Sequence, residues 1–352
     1  MSQLLTPRIV LSGIRATGSL HIGNYLGAIR YFAELSQQQD TLCMFFIANL
    51  HSLTTRQDPE AMVREMRNIV RWYLAAGIDP DQHIIFAQSS VPETTELAWL
   101  LSCMTTTSEL ERMPHWNEKK EQLASGGKPP NAGLFTYPVL MAADILGPGA
   151  HLVPVGADQH PHVELARELA RRFNSRVGQE VFPIPELIDQ SIRVPGLKGS
   201  GKMGKSEPKS TINLDDSAKT IRSRCMKADK KLPFNPATPD VVPAEPRLGD
   251  EPGNPDQCRV YQLHGLTTAS AEEEVSIQLG CRQGTLRCGE CKQQLADNLT
   301  AMLQPLQNQF AYITGLGDDY IDELLEDGGQ RARAIIAPRV DRAKTLMGVR
   351  RF

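Results

Sequence analysis

Arg8-Ile9-Val10-Leu11-Ser12-Gly13, a loop to Leu20, then His21-Ile22-Gly23-Asn24-Tyr25 is the stretch on which the fold turns. The β-branched run closing on a glycine reads as a first strand. The segment from His21 through Leu26, Ile29 and Phe32 reads as a helix. A helix opening just after a strand presents unpaired backbone N–H groups and the positive end of its dipole, a ready anion site. Working outward, Leu42–Ala48 is continuously apolar, as a strand buried on both faces should be. Asp58-Pro59 supplies an N-cap and first-turn proline for a helix whose apolar face carries Met62, Met66, Ile69, Val70 and Tyr73, stopping at Gly77. His83–Ala87 and Leu152–Val155 are further strands, and a helix is expected from about His162 to Phe173. Strand and helix alternating in this way implies an α/β parallel sheet with helices on both faces.

After about residue 200 helical periodicity takes over, Thr211–Asn213 being at most a short strand. Asp215 or Ser217 is placed to cap a helix running into Arg222, Arg224 and Lys227. Pro233–Pro255 holds seven prolines and reads as a long loop. Helices resume near Glu272, from Lys292 to about Ala311, and over 330–347. The expected division is a nucleotide domain over 1–200, a helical domain over 201–330, and a C-terminal helix in 331–352 that packs back on the first domain.

Lys202-Met203-Gly204-Lys205-Ser206 puts two ammonium groups on a glycine-flanked loop, suited to β- and γ-phosphates. It is not a P-loop. Gly13–Ser19 has the glycine spacing but no lysine, and Gly196–Met203 has the lysine but carries Met203 where a Mg²⁺-binding hydroxyl is required. Gly147-Pro148-Gly149 likewise lacks the third glycine of a dinucleotide fingerprint. Composition adds bounds: 38 Lys+Arg against 41 Asp+Glu give a net charge of −3, so RNA contact would need a local basic patch. Arg222, Arg224, Lys227, Lys230 and Lys231 are the candidate, with a solvated face as the bland alternative. The first residues do not read as a signal peptide and no window is long and apolar enough to span a bilayer, which reads as a cytoplasmic protein with no membrane role. Four of seven cysteines, Cys258, Cys281, Cys288 and Cys291, cluster as C-x22-C-x6-C-x2-C. That suggests a tetrahedral thiolate site for Zn²⁺ or an iron–sulfur cluster.

Together these segments resemble the bacterial-type tryptophanyl-tRNA synthetases, which are class I synthetases with a Rossmann-like parallel sheet and a mostly helical C-terminal domain. His21–Asn24 and Lys202–Ser206 stand at that class's two signature motifs. Glu109–Met113, Tyr137–Leu146 and Val153–Gln159 carry the likeness further. The resemblance implies His21, Asn24, Lys202, Lys205 and Ser206 as catalytic. It implies an ATP site at Arg15, Ala16, Thr17, Gly23, Asn24, Gly156, Ala157, Asp158, Val194 and Lys202–Ser206, including Met203 and Gly204. Tryptophan is assigned to Tyr137, Met141 and Asp144, which share one helical face, with His51, Gln159 and Lys119 as further pocket or triphosphate candidates. Indole has one N–H and accepts nothing, so the Asp144 carboxylate is its natural partner, and Met141 is a polarizable filler beside the ring.

The resemblance further implies ATP with Mg²⁺, tRNA(Trp), a homodimer, and a [4Fe–4S] cluster on the four cysteines, as in the subset with this spacing, Zn²⁺ being the alternative. Two positions depart from the family. Gly204 stands where the second motif usually has serine, and Ala157 where relatives often have glutamate. The expected function is tryptophan–tRNA(Trp) ligation through tryptophanyl-adenylate. The alternatives are a tyrosyl-tRNA synthetase, against which Met141 argues, and a tRNA-independent paralogue binding tryptophan in a regulatory role.

Overall fold

The computed structural model describes residues 7–55, 58–114, 116–117, 129–190, 192–198, 201–204, 207–229 and 252–349. Lys119, Lys205, Ser206, Lys230, Lys231 and most of the proline-rich segment lie outside these residues.

Five strands form one sheet: β1 (Arg8–Ile14), β2 (Thr41–Ile47), β3 (Ile84–Ala87), β4 (Leu152–Val155) and β5 (Glu186–Asp189). Their order is β3-β2-β1-β4-β5 and every pairing is parallel. Val10, Leu11, Cys43–Ile47 and Ile84–Ala87 are all buried, as continuous apolar runs under two helical layers must be. Phe32 and Phe45 stack at 4.9 Å beside Tyr73. The chain proceeds from β1 to β2 on one side and returns to β4 on the other. The carboxyl ends of β1 and β4 therefore flank a topological switch point, where open α/β sheets hold ligands. β5 was not expected: none of its four residues is buried, so an edge strand left no apolar run to read.

The helices follow local chemistry. Asp58 accepts from the Ala61 N–H at 2.7 Å and Pro59 opens the helix Pro59–Ala75, which ends before Gly77 at φ 91°. Asn131 caps the helix Ala132–Leu146, and Gly178 in the left-handed conformation ends His160–Val177. Two compact units result: one of Met1–Gly18, Phe32–Ser191 and Ile313–Phe352, the other of Ser19–Tyr31 and Ile192–Tyr312.

The last helix is longer than expected. It spans Asp318–Leu346 rather than opening near 330, running straight through Gly328-Gly329. Glycine costs a helix interior about 1 kcal/mol against alanine, so its presence needs a packing reason. A Cβ on Gly328 would stand 1.8 Å from the Ile85 carbonyl oxygen, and one on Gly329 2.7 Å from Ser90 Cβ. The glycine pair lets the helix lie directly on β3. Arg67 reinforces this packing with ion pairs to Asp318 and Asp322 at 2.7 and 2.6 Å, and the buried Arg71 bonds Asp318 at 2.5 Å. Gly328→Ala should destabilise the protein by about 1–3 kcal/mol through overpacking, despite alanine's higher helix propensity. Denaturant titration checks this, and an unchanged midpoint would mean that the helix does not rest on β3.

Glu109 closes a capping box with Thr106 and pairs with Arg172 at 2.6 Å. The Arg172 hydrogen bond, with the Thr106 donors, lowers its pKa from 4.5 to about 2. A carboxylate depressed on folding stabilises fully above its unfolded pKa, and that stability is lost as pH falls from about 4.5 towards 2. Because the pair is partly exposed, the contribution is on the order of 1–2 kcal/mol. Glu109→Gln should lower stability at neutral pH by that amount and converge with the parent in acid, as read by thermal melts from pH 7 to 3.

Candidate active site

A cavity of about 340 Å³ opens at the carboxyl ends of β1, β2 and β4. That is near the lower end of the roughly 300–1,000 Å³ usual for small-molecule sites, so it suits one compact ligand. Leu11, Phe46, Leu134, Met141, Ile145, Val153 and Val155 give it apolar walls, while Ser12, Arg15, His51, Thr54, Tyr137, Asp144 and Gln159 give it polar points. Tyr137, Met141, Asp144, His51 and Gln159, all expected at a tryptophan pocket, thus meet around one cavity. The apolar walls other than Met141 were missed by sequence reasoning. Their signal was position alone, at the downstream ends of buried strands and beside Asp144.

Asp144 is 6% exposed and must have its oxygens answered. His51 Nε2 stands 2.7 Å from Oδ2, and Gln88 Nε2 is 2.8 Å from both oxygens. Gln88 was also missed. Its Oε1 accepts the Leu50 and His51 backbone N–H groups at 3.1 and 3.3 Å. That fixes which end of the amide is which, so its NH₂ donates and Asp144 accepts. The same logic puts the His51 proton on Nε2. A carboxylate held by two N–H donors and facing an apolar cavity is suited to accept a third from a ligand. The one sequence signal for Gln88 was a polar residue directly after the buried run of β3. Tyr137 packs edge-on to the His51 ring at 6.2 Å, and its hydroxyl bonds His162 Nε2 at 2.7 Å.

The remaining candidates of this unit flank the cavity mouth or the turn after β4. Arg15 reaches Thr55 Oγ1 at 3.3 Å, and burial depresses its pKa. Ala16 is 1% exposed, so only its backbone could meet a ligand, while Thr17 is half-buried. Gly156, Ala157 and Asp158 form the turn opening the helix His160–Val177, where Gln159 Nε2 donates to Asp158 at 3.0 Å. A Cβ on Gly156 would come within 3.1 Å of Asp158 Oδ1.

In the second unit the two signature segments lie against each other. The Ile22 N–H donates to Ile212 O and the Leu214 N–H to Leu20 O, both at 3.0 Å, and His21 bridges Asn213. The short stretch Thr211–Asn213 therefore serves as the first motif's backbone partner. Asn24 Oδ1 accepts the His21 N–H at 3.1 Å, closing the helix cap and engaging the oxygen end of that amide. The helix continues through a π-turn at Tyr25–Ile29 to Arg30–Ser36. Gly23 belongs to the ATP site that the resemblance implies, where the lack of a side chain would leave space for a ligand. The space is also needed internally, because a Cβ there would lie 2.8 Å from His21 Nδ1 and 3.8 Å from Met203 Cβ.

Met203 is buried, with its sulfur 3.5 Å from the Ile212 N–H, so it anchors the second motif instead of facing solvent. The Val194 carbonyl accepts the Met203 N–H at 2.8 Å and Pro195 bridges Lys202, making a hairpin that exposes Lys202. The Gly204 carbonyl accepts the Thr211 hydroxyl at 2.8 Å.

Cys258, Cys281, Cys288 and Cys291 line one small cavity of about 30 Å³ with Val260, Tyr261, Ile277, Leu286 and Lys292. None is in a disulfide. Among the described residues no group of three or more His, Cys, Asp or Glu side chains is gathered to hold a metal ion. Of the basic run, Arg222 is exposed on the helix Ala218–Met226, capped by Ser217 as expected, and Lys227 is exposed at its C-cap. Arg224 is instead committed to Asp216 at 2.5 Å and to the Thr211 carbonyl. No helix among the described residues is long and apolar enough to cross a membrane.

The family model for class I tRNA synthetases (W and Y) matches residues 5–304. A tryptophan–tRNA ligase of Porphyromonas gingivalis is 39% identical, covering 97% of this chain and 99% of that one. One from Thermotoga maritima is 38% identical, with the same two coverages. Among solved structures, tryptophanyl-tRNA synthetase from Campylobacter jejuni, complexed with ADP and tryptophan, superposes with a TM-score of 0.80 at 29% identity, covering 97% of this chain and 99% of that one. With both signature segments and the parallel five-stranded sheet in hand, the chain belongs to the class I aminoacyl-tRNA synthetases, in the family that serves tryptophan and tyrosine.

Proposed function

We propose that the chain is a tryptophan–tRNA ligase, and that the buried Asp144 carboxylate at the base of the β1/β4 cavity is the acceptor for the substrate's indole N–H. What carries the choice of amino acid is the pairing of that carboxylate with a non-hydrogen-bonding Met141 and apolar walls. Curated relatives of matching length carry the same activity. Tyr137 and Gln159 would meet the amino-acid head, and His51 would hold Asp144 in place.

In the first step the tryptophan carboxylate attacks the α-phosphorus of ATP, and the bond to the β-phosphate oxygen breaks as pyrophosphate leaves. No side-chain nucleophile is needed, so catalysis is positioning plus stabilisation of developing charge. Lys202, His21 and the Asn24 amide would act on the triphosphate, together with Lys205 and Ser206 of the same motif. Arg15, Ala16, Thr17, Gly23, Val194 and the Gly156–Asp158 turn, with Met203 and Gly204 as backbone, would complete the ATP contacts. Mg²⁺ would accompany the nucleotide. In the second step a tRNA(Trp) 3′-terminal hydroxyl attacks the adenylate carbonyl and AMP leaves. A homodimer and a cytoplasmic setting belong to the same reading.

The four cysteines offer an all-thiolate donor set around one otherwise apolar pocket, which suits a [4Fe–4S] cluster. The choice of a cluster over a single Zn²⁺ rests on the resemblance carried by the C-x22-C-x6-C-x2-C spacing. Bound there, the group would supply a covalent staple joining the start of the helix Arg259–Thr267 to the helices Ala271–Gln283 and Cys288–Gly315.

Pyrophosphate exchange tests the main reading. Exchange should depend on tryptophan and not on tyrosine. Asp144→Ala should weaken tryptophan by roughly 2–4 kcal/mol with little change for ATP. Lys202→Ala should instead lower kcat far more than it raises the KM for tryptophan. Exchange with tyrosine alone, or equal losses for both substrates in Asp144→Ala, would sink the assignment. Anaerobically prepared protein should carry about four iron and four sulfide per chain; stoichiometric zinc without iron would replace the cluster by a single ion.

A further inference from the structure

Arg259 is among the largest fully buried side chains of the protein, 1% exposed, and it follows Cys258 directly. A guanidinium removed from water must be answered by fixed acceptors. Its Nη1 donates to the Gly196 carbonyl at 2.8 Å, beside the turn of the hairpin that carries Lys202, where the Gly196 N–H donates to the Gly201 carbonyl. Burial depresses its pKa, while the carboxylates of Asp229 and Glu207 act in the opposite sense. The cation thus bonds the residue that leads into the turn of that hairpin.

That turn is crowded. A Cβ on Gly196 would lie 2.3 Å from Ser210 Oγ, and the same hydroxyl bonds Lys198 through both its carbonyl and its N–H. The Leu197 carbonyl accepts the Asp229 N–H at 2.8 Å. A parallel link runs from the other end of the thiol cavity. Lys292, directly after Cys291, donates to the Met226 and Ala228 carbonyls at 3.2 and 2.5 Å, just before Asp229. Two of the four thiols are therefore each followed by a cation whose head group grips backbone leading to the Gly196–Lys198 turn.

We propose that Arg259 is a positioning residue for adenylate formation, tying the turn of the second-motif hairpin to the four-cysteine cavity so that the state of those thiols sets the geometry of Lys202. The proposal rests on the reading of Lys202 as a triphosphate contact and of the cysteines as a metal site. It makes the cysteine set a partner of the activation step.

The experiment uses the full chain and three variants: Arg259→Met, Arg259→Lys and Cys281→Ser, the last far in sequence from Arg259. Arg259→Met should lower the kcat of tryptophan-dependent pyrophosphate exchange by about ten- to a hundredfold, since a small misplacement of a charge-stabilising group is costly. The KM for tryptophan and the iron content should stay at the parental level. Arg259→Lys keeps the cation and should recover part of the rate. Cys281→Ser should lose the metal and lower kcat in the same way, and the Arg259→Met/Cys281→Ser double variant should fall no further than Arg259→Met, as coupled sites do.

Parental exchange in Arg259→Met, or a loss shared equally by kcat and tryptophan binding, would overturn the positioning role. If Arg259→Met does not fold, a metal-free, folded Cys281→Ser with parental exchange overturns the link. Additive losses in the double variant would do the same. Should the parent bind neither iron nor zinc, the metal reading fails by itself, and the Arg259→Met kcat still decides the anchor.

Discussion

Asp144 is a buried carboxylate at the foot of an apolar cavity, and satisfying it organises much of the unit around it. Its donors come from different elements: Gln88 from the end of β3, and His51 from the turn after β2. Gln88 can face Asp144 correctly only because two backbone N–H groups at residues 50 and 51 take its oxygen. The distance between those elements is set by sheet pairing, with Phe46 beside Phe86 and Ile47 beside Ala87. A shift of one residue in the register of β3 would carry Gln88 away and leave a charge uncompensated, at a cost of several kcal/mol. Sheet register and ligand site are thus one constraint.

The close packing of the last helix supports the same register. β3 is short, and its outer face is covered by Asp318–Leu346. Gly328 and Gly329 bring that helix to within side-chain-free distance of Ile85 and Ser90, three residues before and two after Gln88. Two glycines that weaken the helix locally therefore help hold the strand whose end orients the buried carboxylate.

In the other unit the organising chemistry is backbone pairing. The first motif is held by Ile212 and Leu214, and the second by the Val194–Met203 hairpin, with Met203 buried beneath Gly23. Glycine at 23 and methionine at 203 are then complementary: one makes room for the His21 ring and the other fills the space below. Lys202, between the hairpin's bonded residues, is left exposed, as its proposed role on the triphosphate requires. The departure at Gly204 sits where its carbonyl accepts the Thr211 hydroxyl and the Glu207 N–H.

Local chemistry made much of this readable in advance. Apolar runs with β-branched residues marked β1 to β4, because a strand buried on both faces has no polar positions to confuse the reading. Asp58-Pro59 and Ser217 announced helix starts because capping is a local bond. The spacing of Tyr137, Met141 and Asp144 put them on one face because helix periodicity is local too. What only the tertiary structure decided depends on contacts between distant residues. β5 is an exposed edge strand recruited by β4. The Gly328-Gly329 pair, which looks like a helix boundary, is helix because β3 lies against it. Gln88 became part of the site, and Arg224 was withdrawn from the basic face by Asp216. Arg259, an unremarked residue beside a cysteine in the sequence, became a buried link to Gly196, 63 positions away. In each case the energy that assigns the role comes from a partner brought near by folding, which no window along the chain contains.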